Sequence, residues 1–348
     1  MTIDPVRVGI IGTTAYAETH MANIVKHPRA VLRAVAGRDR GRTQAIAERY
    51  GAELVFEGYE ALIESGEVDA VLVLAPDALH EQITLDSFAA GLHVLCEKPL
   101  APTAAAARRM ADAARASGLV NMSYFALRAS AHHHLVKRLL DQGAIGEVRS
   151  ASFSLEHGLF RSPEYNWRFD SSRGGGVIAD LGCYLFDQAL WYVGDVSSVA
   201  ANGAAFVHRP DAEGGEYVPA PDSAVGMLAF RNGAHATFDV SVVSHVGAGF
   251  QRNTVLIQGE QGRLELDHTF ADASVRIIKD EEKEYTTVEL PDGFAAPTGD
   301  AEFIDAILDG EQVTPSFENG WRVQQVVGAA EAAAQSRSWV DVSEEDAG

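Results

Sequence analysis

Short apolar runs alternate with amphipathic segments along the first 125 residues. The apolar runs predict strands at 6–11, 31–36, 68–75, 93–96 and 120–125. The segments between them predict helices at 16–26, 40–50, 80–90 and 103–117. Nearly continuous apolar strands separated by helices are typical of a parallel sheet that is covered on both faces. We therefore expect residues 1–125 to form an α/β domain with a doubly wound parallel sheet.

The pattern changes after this point, and period-two alternation becomes the main signal. Helices are predicted at 131–142, 177–193, 301–308 and 319–336. Strands are predicted at 148–155, 198–202, 224–230, 234–243, 254–258, 263–267, 275–279 and 285–290. Turn sequences such as Arg-Asn-Gly at 231–233 join some of these strands into hairpins. Residues 126–348 are therefore expected to form an α+β domain with a large, open, mostly antiparallel sheet, and the last helix can pack back on the first domain.

Composition narrows the classes of function. The chain has 348 residues, 47% of them hydrophobic, and a formal net charge of −21. Such a charge repels phosphate backbones, so we expect no nucleic-acid partner. No apolar run approaches the roughly 20 residues of a membrane span, and no signal peptide is evident. Cys96 and Cys183 stand in contexts that look buried, which suits a reducing compartment, so a cytoplasmic location is expected.

A nucleotide signal lies at the first strand–helix junction, in the stretch VGIIGTTAYAETH at 8–20. Gly12 and Ala17 match the first and third positions of the dinucleotide fingerprint G-x-G-x-x-G/A. Thr14 occupies the middle position, where glycine lets a pyrophosphate approach the backbone. The threonine hydroxyl could bind a phosphate, or the side chain could push the cofactor away. The match is partial, and its position between a strand and a helix strengthens it.

The end of the second predicted strand bears on the choice of cofactor. An NAD site places Asp or Glu here to hold the ribose hydroxyls. Gly37 stands at that position, and Arg38, Arg40 and Arg42 follow. A guanidinium can bind a 2′-phosphate that a carboxylate would repel. We therefore expect NADP, with NAD as the alternative cofactor; the competing interpretation is that these arginines only decorate the surface of a helix start.

The stretch HVLCEKPLA at 93–101 places opposite charges directly after a buried strand. One interpretation of Glu97 and Lys98 is a solvated turn with an ion pair; the other is a catalytic lysine. Ligands of open parallel sheets bind beyond the carboxyl ends of the strands, where Lys98 is expected to lie. A lysine beside a cationic nicotinamide can have its pKa lowered toward neutrality, which suits a general acid and base for alcohol oxidation.

These pieces resemble one family over nearly the whole chain, the glucose–fructose oxidoreductase/inositol dehydrogenase/MocA family. The combination of EKP with GGG…D-x-G is the more specific part of this resemblance. The matching stretches are GIIGTTAYA (9–17), LAPDALH (74–80), EKPLA (97–101), GAIGEVRS (143–150), NWRFD (166–170) and GGGVIADLGCYLFD (174–187).

The resemblance implies a role for individual residues. Lys98 would be the catalytic lysine beside the nicotinamide, and its bond to Pro99 is often cis in the family. Asp180 and Tyr184, four residues apart on one helix face, would position the substrate oxygen, with Arg128 as a further substrate contact. Together with the fingerprint, the expected cofactor-binding residues are Gly12, Thr13, Thr14, Ala15, Arg38, Ala75, Pro76, His80, Glu97, Lys98, Trp167 and Arg168.

Two departures from the family pattern stand out. Asp77 replaces the usual Asn after the LxP proline, and Tyr184 stands where many members have His. The Tyr version resembles glucose–fructose oxidoreductase and the dimeric dihydrodiol and xylose dehydrogenases, which prefer NADP. Competing interpretations stay open: Tyr184 as a core tyrosine, and Asp180 as a helix-start charge.

The expected activity is hydride transfer between NADP and a sugar, polyol or cyclic diol. One alternative is a sensor on the same fold that binds nucleotide without turnover, favoured by Thr14 and Asp77. Another is NAD-dependent, redox-neutral glycoside cleavage. The consecutive histidines at 132–134 point apart on a helix, so no metal is expected. The second domain would bind substrate, and an apolar sheet face there predicts a homodimer or homotetramer.

Overall fold

The computed structural model describes residues 4–211, 213–247, 250–294, 296 and 298–342. The described chain divides into two compact units. The N-terminal unit holds the residues up to Ala129 together with those from 298 to Gln324. The C-terminal unit holds Ser130–Ala296 and the residues from Gln325 onward.

The elements of the first part of the chain alternate between strand and helix. They are β1 (Val6–Ile11), α1 (Ala15–Lys26), β2 (Ala30–Ala36), α2 (Arg40–Tyr50), β3 (Leu54–Phe56), α3 (Tyr59–Glu64), β4 (Ala70–Val73), α4 (His80–Ala89), β5 (His93–Glu97), α5 (Ala104–Ser117) and β6 (Asn121–Tyr124). The six strands form one parallel sheet in the order β3-β2-β1-β4-β5-β6. This is the doubly wound sheet that the sequence predicts, with β3 and α3 as additional elements.

The remaining elements are mostly strands. They are α6 (Ala131–Asp141), β7 (Val148–His157), α7 (Cys183–Tyr192), β8 (Val196–Ala204), β9 (Ser223–Phe230), β10 (His235–Ser241), β11 (Gln251–Gly259), β12 (Gly262–Thr269), β13 (Ala273–Lys279), β14 (Thr286–Thr287), α8 (Gly299–Asp309), α9 (Phe317–Ser336) and β15 (Val340–Asp341). Nine strands form one sheet in the order β14-β13-β12-β11-β7-β10-β9-β8-β15. Among the described strand pairs of this second sheet, only β7–β10 is parallel, which confirms a mostly antiparallel sheet.

Alternate residues of the parallel strands enter two separate cores. In β4, Ala70 and Leu72 pack on one side of the sheet, whereas Val71 and Val73 pack on the other. Burial on both faces explains why this strand is apolar at every position. Cys96 of β5 is also fully buried and, like Cys183, is a free thiol, as the sequence indicates.

The boundary between the units differs from the predicted division at residue 125. Phe303 and Ile304 of α8 are buried in the core that also contains Val8 and Ile10 of β1. Phe317, at the start of α9, is buried in the core on the opposite side of the sheet. These apolar contacts place residues 298–324 in the N-terminal unit, although the chain reaches them only after eight strands of the nine-stranded sheet.

The outward side of the nine-stranded sheet also differs from the expectation of a bare apolar face. Val225 and Met227 are exposed there by 48% and 47%. Ser152, Thr237 and Asp239 line the same shallow concavity. The face is therefore mixed in polarity. No helix in the described residues is long and apolar enough to cross a membrane.

Candidate functional site

The β1–α1 turn has the backbone that a bound anion requires. Gly12 has a φ of +116°, and a Cβ there would lie 2.5 Å from the carbonyl oxygen of Leu74. Thr14 is the N-cap of α1, which begins at Ala15, yet its side chain makes no capping hydrogen bond. The amides of the first helical turn, with Thr13 and Thr14 beside them, can therefore bind a phosphate with the help of the helix dipole.

The end of β2 has no room for an acidic side chain. A Cβ on Gly37 would lie 2.5 Å from Oγ1 of Thr43 and 3.0 Å from Cγ2 of Thr13. The carboxylate of Asp39 is used as the N-cap of α2, where it accepts the amide of Arg42 at 3.0 Å. Arg38 is exposed between them. The charge available at this edge of the sheet is therefore positive.

The ends of β4 and β5 are joined by a buried histidine. The Nε2 atom of His80 lies 2.8 Å from the carbonyl oxygen of Ala75, and Nδ1 lies 3.0 Å from that of Pro99. His80 is 2% exposed, and through these two contacts it holds the LAP and EKP segments together from inside the protein. The role of His80 in lining the cofactor site stays a prediction; the structure shows its two ring nitrogens facing carbonyl oxygens of the two segments.

The departure at Asp77 has a local explanation. Its carboxylate accepts the backbone amide of Ala78 at 2.9 Å, at the start of the short 3-10 turn that leads into α4. Pro76 precedes this turn and is exposed, and Ala75 is partly exposed. Asp77 therefore acts as a helix-start acceptor, a role that Asn fills as well.

Lys98 follows β5 through a backbone that Glu97 helps to fix. The Lys98–Pro99 bond is cis. One carboxylate oxygen of Glu97 accepts the Lys98 amide at 3.0 Å, and the other faces Nε2 of His20 at 3.2 Å. His20 in turn lies 2.6 Å from a carboxylate oxygen of Asp300. The sequence did not single out His20 or Asp300, because they stand 280 positions apart.

Arg128 lies in the N-terminal unit, near a carboxyl group. Burial raises the pKa of Glu302 to about 7, and the positive charge of Arg128 partly opposes this rise. Both side chains are half-buried. This arrangement neither assigns nor removes the substrate contact that the sequence predicts for Arg128.

In the C-terminal unit, Trp167, Arg168 and Asp180 come together. Asn166 caps the turn Trp167–Phe169 by accepting the Arg168 amide at 3.1 Å. The Nε atom of Arg168 then lies 3.3 Å from a carboxylate oxygen of Asp180, and its guanidinium lies 4.7 Å from the centre of the Trp167 ring. The turn formed by the NWRFD stretch therefore places the Arg168 guanidinium next to the Asp180 carboxylate.

The helix that carries Asp180 and Tyr184 is not a single regular α-helix. Residues Ile178–Gly182 form a π-helical turn, and α7 begins at Cys183. Asp180 lies in the π-helical turn and Tyr184, which is 8% exposed, lies in the first turn of α7. Such turns are frequent at functional sites, although periodicity in the sequence gives no signal for them.

Glycines before this helix allow close packing. Gly176 has a φ of +66°, and a Cβ there would lie 2.5 Å from the carbonyl oxygen of Pro221. A Cβ on Gly175 would lie 2.5 Å from Oε1 of Glu331. The GGG segment therefore brings the start of the helix against the chain at Pro221 and against the carboxyl group of Glu331 in α9.

Glu331 is a buried carboxyl group that should make stability fall as pH rises. Burial raises its pKa to about 7, and the described part of the chain offers it no hydrogen bond or ion pair. Between the unfolded pKa of 4.5 and the folded value, the folded state keeps a proton that the unfolded state releases. Glu331→Gln should therefore raise the unfolding free energy by about 3 kcal/mol at about pH 8, and by much less at about pH 5.

Urea unfolding of the unaltered protein and of Glu331→Gln at the two pH values measures this difference in unfolding free energy. Glu318→Gln, on the same helix and half-exposed, is the control and should behave alike at both pH values. A gain in stability from Glu331→Gln that is equal at the two pH values would contradict the explanation.

The loop before β9 is anchored from inside. Arg209 and Asp222 form an ion pair at 3.1 Å, and both side chains are almost fully buried. Asp222 also accepts the amides of Phe206 and Val207 at 2.9 and 3.0 Å. The guanidinium of Arg209 lies 4.3 Å from the centre of the Phe169 ring. This pair therefore fixes the residues at 206–209, together with Asp222, against the turn that carries Arg168.

The histidines at 132–134 do not form a chelate. His133 is fully buried, with Nδ1 at 2.9 Å from the Tyr192 hydroxyl and Nε2 at 3.1 Å from Nδ1 of His268. Burial lowers the pKa of His133 well below its usual range. Its role is to pack α6 inside the C-terminal unit. Among the described residues, no group of three or more His, Cys, Asp or Glu side chains could hold a metal ion.

Family models match most of the chain. The model described as an oxidoreductase family with an NAD-binding Rossmann fold matches residues 6–125. The model described as the GFO/IDH/MocA C-terminal domain matches residues 133–265. The two matches cover the parallel sheet and most of the nine-stranded sheet.

Curated relatives and solved structures agree with these models. A dTDP-3,4-didehydro-2,6-dideoxy-alpha-D-glucose 3-reductase from Actinomadura kijaniata is 31% identical over 95% of this chain and 96% of its own. A D-glucoside 3-dehydrogenase from Escherichia coli is 26% identical over 98% of this chain and 99% of its own. A levoglucosan dehydrogenase solved with NADH and levoglucosan has a TM-score of 0.90 at 25% identity, covering 98% of this chain and 100% of its own.

Proposed function

Because the chain belongs to the GFO/IDH/MocA family of oxidoreductases, we propose that it transfers a hydride between NADP and a hydroxyl group of a sugar or related polyol or cyclic diol, with Lys98 as general acid and base. The observation that carries this proposal is the position of Lys98. It directly follows the carboxyl end of β5, and β5 is hydrogen-bonded to β4, whose end is held by His80. Cofactors of parallel sheets bind at this edge.

The residues at this edge fit a dinucleotide. The Gly12 turn, with its φ of +116°, leads directly into the N-terminus of α1, where Thr13, Thr14 and Ala15 would hold the pyrophosphate. Ala75, Pro76 and Glu97, at the ends of β4 and β5, would hold the nicotinamide half. When bound, the nicotinamide supplies the hydride donor or acceptor. The protein residues must then bind and orient the cofactor and the substrate, and transfer the proton of the substrate hydroxyl.

Proton transfer falls to Lys98 in this proposal. Oxidation of an alcohol releases a proton from the hydroxyl oxygen as the hydride leaves carbon, and reduction requires the reverse. Lys98 in its neutral form accepts that proton at Nζ, and in its charged form returns it. Asp180 and Tyr184, with Arg128, would bind the substrate oxygens, and Trp167 and Arg168 would contact the cofactor. The Arg168–Asp180 pair supports a defined orientation of that carboxylate.

The substrate class rests on the relatives. A dTDP-sugar 3-reductase, a D-glucoside 3-dehydrogenase and a levoglucosan dehydrogenase all act, by name, on sugars. Two of the three names specify position 3. A panel of glucosides and anhydrosugars, with a polyol such as inositol, is therefore the first set to test at the nicotinamide absorbance.

A preference for NADP is supported by the end of β2. A carboxylate at position 37 has no room beside Thr43, and Asp39 is engaged in capping, so Arg38 is the charge that faces an incoming 2′-phosphate. Arg38→Ala should weaken NADPH binding about 10- to 100-fold and leave NADH binding within about 2-fold, because a charge-assisted hydrogen bond contributes about 1.5–3 kcal/mol. Titration of tryptophan fluorescence with each nucleotide measures both affinities.

A matched control separates the loss of a direct contact between Arg38 and the 2′-phosphate from the loss of one positive charge. Arg49→Ala also removes one positive charge, here from α2, where Arg49 is paired with Glu18 at 2.7 Å, and it should leave both affinities unchanged. Tighter binding of NADH than NADPH by the unaltered protein would reverse the cofactor proposal. Nucleotide binding without turnover of any substrate would favour a sensor. Release of an aglycone without net NADPH formation would favour redox-neutral glycoside cleavage.

We also propose that a second copy of the chain covers the outward side of the nine-stranded sheet, giving a homodimer or homotetramer. Exposed Val225, Met227 and Trp339 support this proposal, since they line one concavity together. Sedimentation equilibrium of the purified chain distinguishes a dimer, a tetramer and a monomer.

A further inference from the structure

A buried imidazole connects two carboxylates inside the N-terminal unit. His20, in the middle of α1, is 1% exposed, and so is Asp300 in the first turn of α8. The Nδ1 atom of His20 lies 2.6 Å from Oδ1 of Asp300, and Nε2 lies 3.2 Å from Oε1 of Glu97. Three elements, α1, α8 and β5, therefore meet at one side chain.

The geometry determines how the imidazole is protonated. Each ring nitrogen faces a carboxylate oxygen, and only the imidazolium has an N–H on both nitrogens. A neutral ring would leave one carboxylate facing a lone pair inside the protein. Burial lowers the pKa of His20, but the hydrogen bonds that the ring donates to Asp300 and Glu97 more than compensate and raise it to about 9.

The groups around the ring leave these two carboxylates as its charged partners. From β6, the ring of Tyr124 packs edge-on at 4.6 Å between centroids. Burial raises the pKa of Tyr124, so this neighbour is neutral. From α1 itself, Asn23 donates to the second oxygen of Asp300 at 2.7 Å. Asp300 is thus held on both sides, and His20 is left as the link to Glu97.

Glu97 passes this constraint to Lys98. Its second carboxylate oxygen accepts the backbone amide of Lys98 at 3.0 Å. We propose that His20 is a positioning residue for the reaction: its imidazolium fixes Glu97, and Glu97 fixes the backbone from which the Lys98 side chain extends. This inference rests on the proposed role of Lys98. His20 acts through Glu97 and makes no contact with substrate in this scheme.

A double-mutant cycle tests the link. His20→Gln and Glu97→Gln should each lower kcat at saturating cofactor and substrate about 10- to 100-fold, since misplacement by about 1 Å costs rates of this size. The double variant should be no slower than the worse single variant, because both changes break one link. Asn23→Ala, which loosens Asp300 without touching Glu97, should keep kcat and lose only thermal stability. Two results would overturn the inference. One is a loss of kcat in the double variant equal to the product of the two single losses, and the other is a loss of kcat in Asn23→Ala as large as that in His20→Gln.

The pH profile gives a second readout that a purely structural role would not move. As pH rises through about 9, His20 loses a proton and releases one carboxylate. In alcohol oxidation, where rising pH favours the neutral Lys98 that accepts the proton, kcat of the unaltered enzyme should therefore fall there. His20→Gln has no such proton, and its kcat should lack this decline. The same decline in both enzymes would overturn the inference.

A spectroscopic measurement on the unaltered protein covers the case in which His20→Gln does not fold. Nitrogen NMR of protein labelled at histidine should show one ring that stays doubly protonated at about pH 8, where a histidine of ordinary pKa is neutral. The absence of such a ring would overturn the inference. Lys98→Ala, assayed beside the cycle, separates the two proposals: normal turnover in Lys98→Ala removes the acid/base role, whereas additive effects in the cycle remove only the role of His20.

Discussion

Replacing Lys98 by alanine should lower kcat about 10²- to 10⁴-fold, the range that a positioned general acid or base contributes. The reason is that the variant lacks the amine which, in the proposed mechanism, accepts the hydroxyl proton as the hydride leaves the substrate carbon. Lys98→Met should show the same loss, because it keeps the aliphatic stem and removes only the amine. Initial rates with saturating NADP and substrate measure the effect, and NADPH affinity should change little, since the pyrophosphate and ribose contacts lie elsewhere.

Lys137→Ala is the matched control for the loss of a lysine. Lys137 is paired with Asp141 on the surface of α6, and exposed pairs of this kind contribute little. It should therefore keep both kcat and NADPH affinity. Near-normal turnover in Lys98→Ala would show that the proton goes elsewhere. A loss confined to KM would show that Lys98 binds substrate without carrying its proton.

The sequence predicts the fold best where strands are buried on both faces of the sheet. The predicted strand at 68–75 is nearly continuously apolar, and β4, which is Ala70–Val73 within it, contributes alternate residues to two cores. The family resemblance is confirmed by the family models and by relatives that span the chain. The sequence analysis missed β3, which has only three residues, and β15, which has only two, because so few positions show no periodicity.

The sequence could not predict the parts of the site that depend on packing between residues far apart in the chain. His20 stands within the nucleotide fingerprint region, but its partner Asp300 follows eight of the nine strands of the second sheet in the chain. The placement of α8 in the N-terminal unit, by Phe303 and Ile304, is what brings that carboxylate to α1. His80 is a similar case, because its two carbonyl partners belong to turns that no sequence pattern places together.

Asp222→Asn should lower the free energy of unfolding by about 3–5 kcal/mol, the usual consequence of removing one partner of a buried ion pair. The guanidinium of Arg209 would stay buried without its counterion, and the new amide nitrogen would face the Val207 amide or Arg209, which are both donors. Urea unfolding measures the change. Asp267→Asn is the matched control, because Asp267 pairs with Arg252 at 2.6 Å on the exposed side of the same sheet, and it should cost less than about 1 kcal/mol. Equal losses in the two variants would show that the Arg209–Asp222 pair is not what anchors the segment before β9.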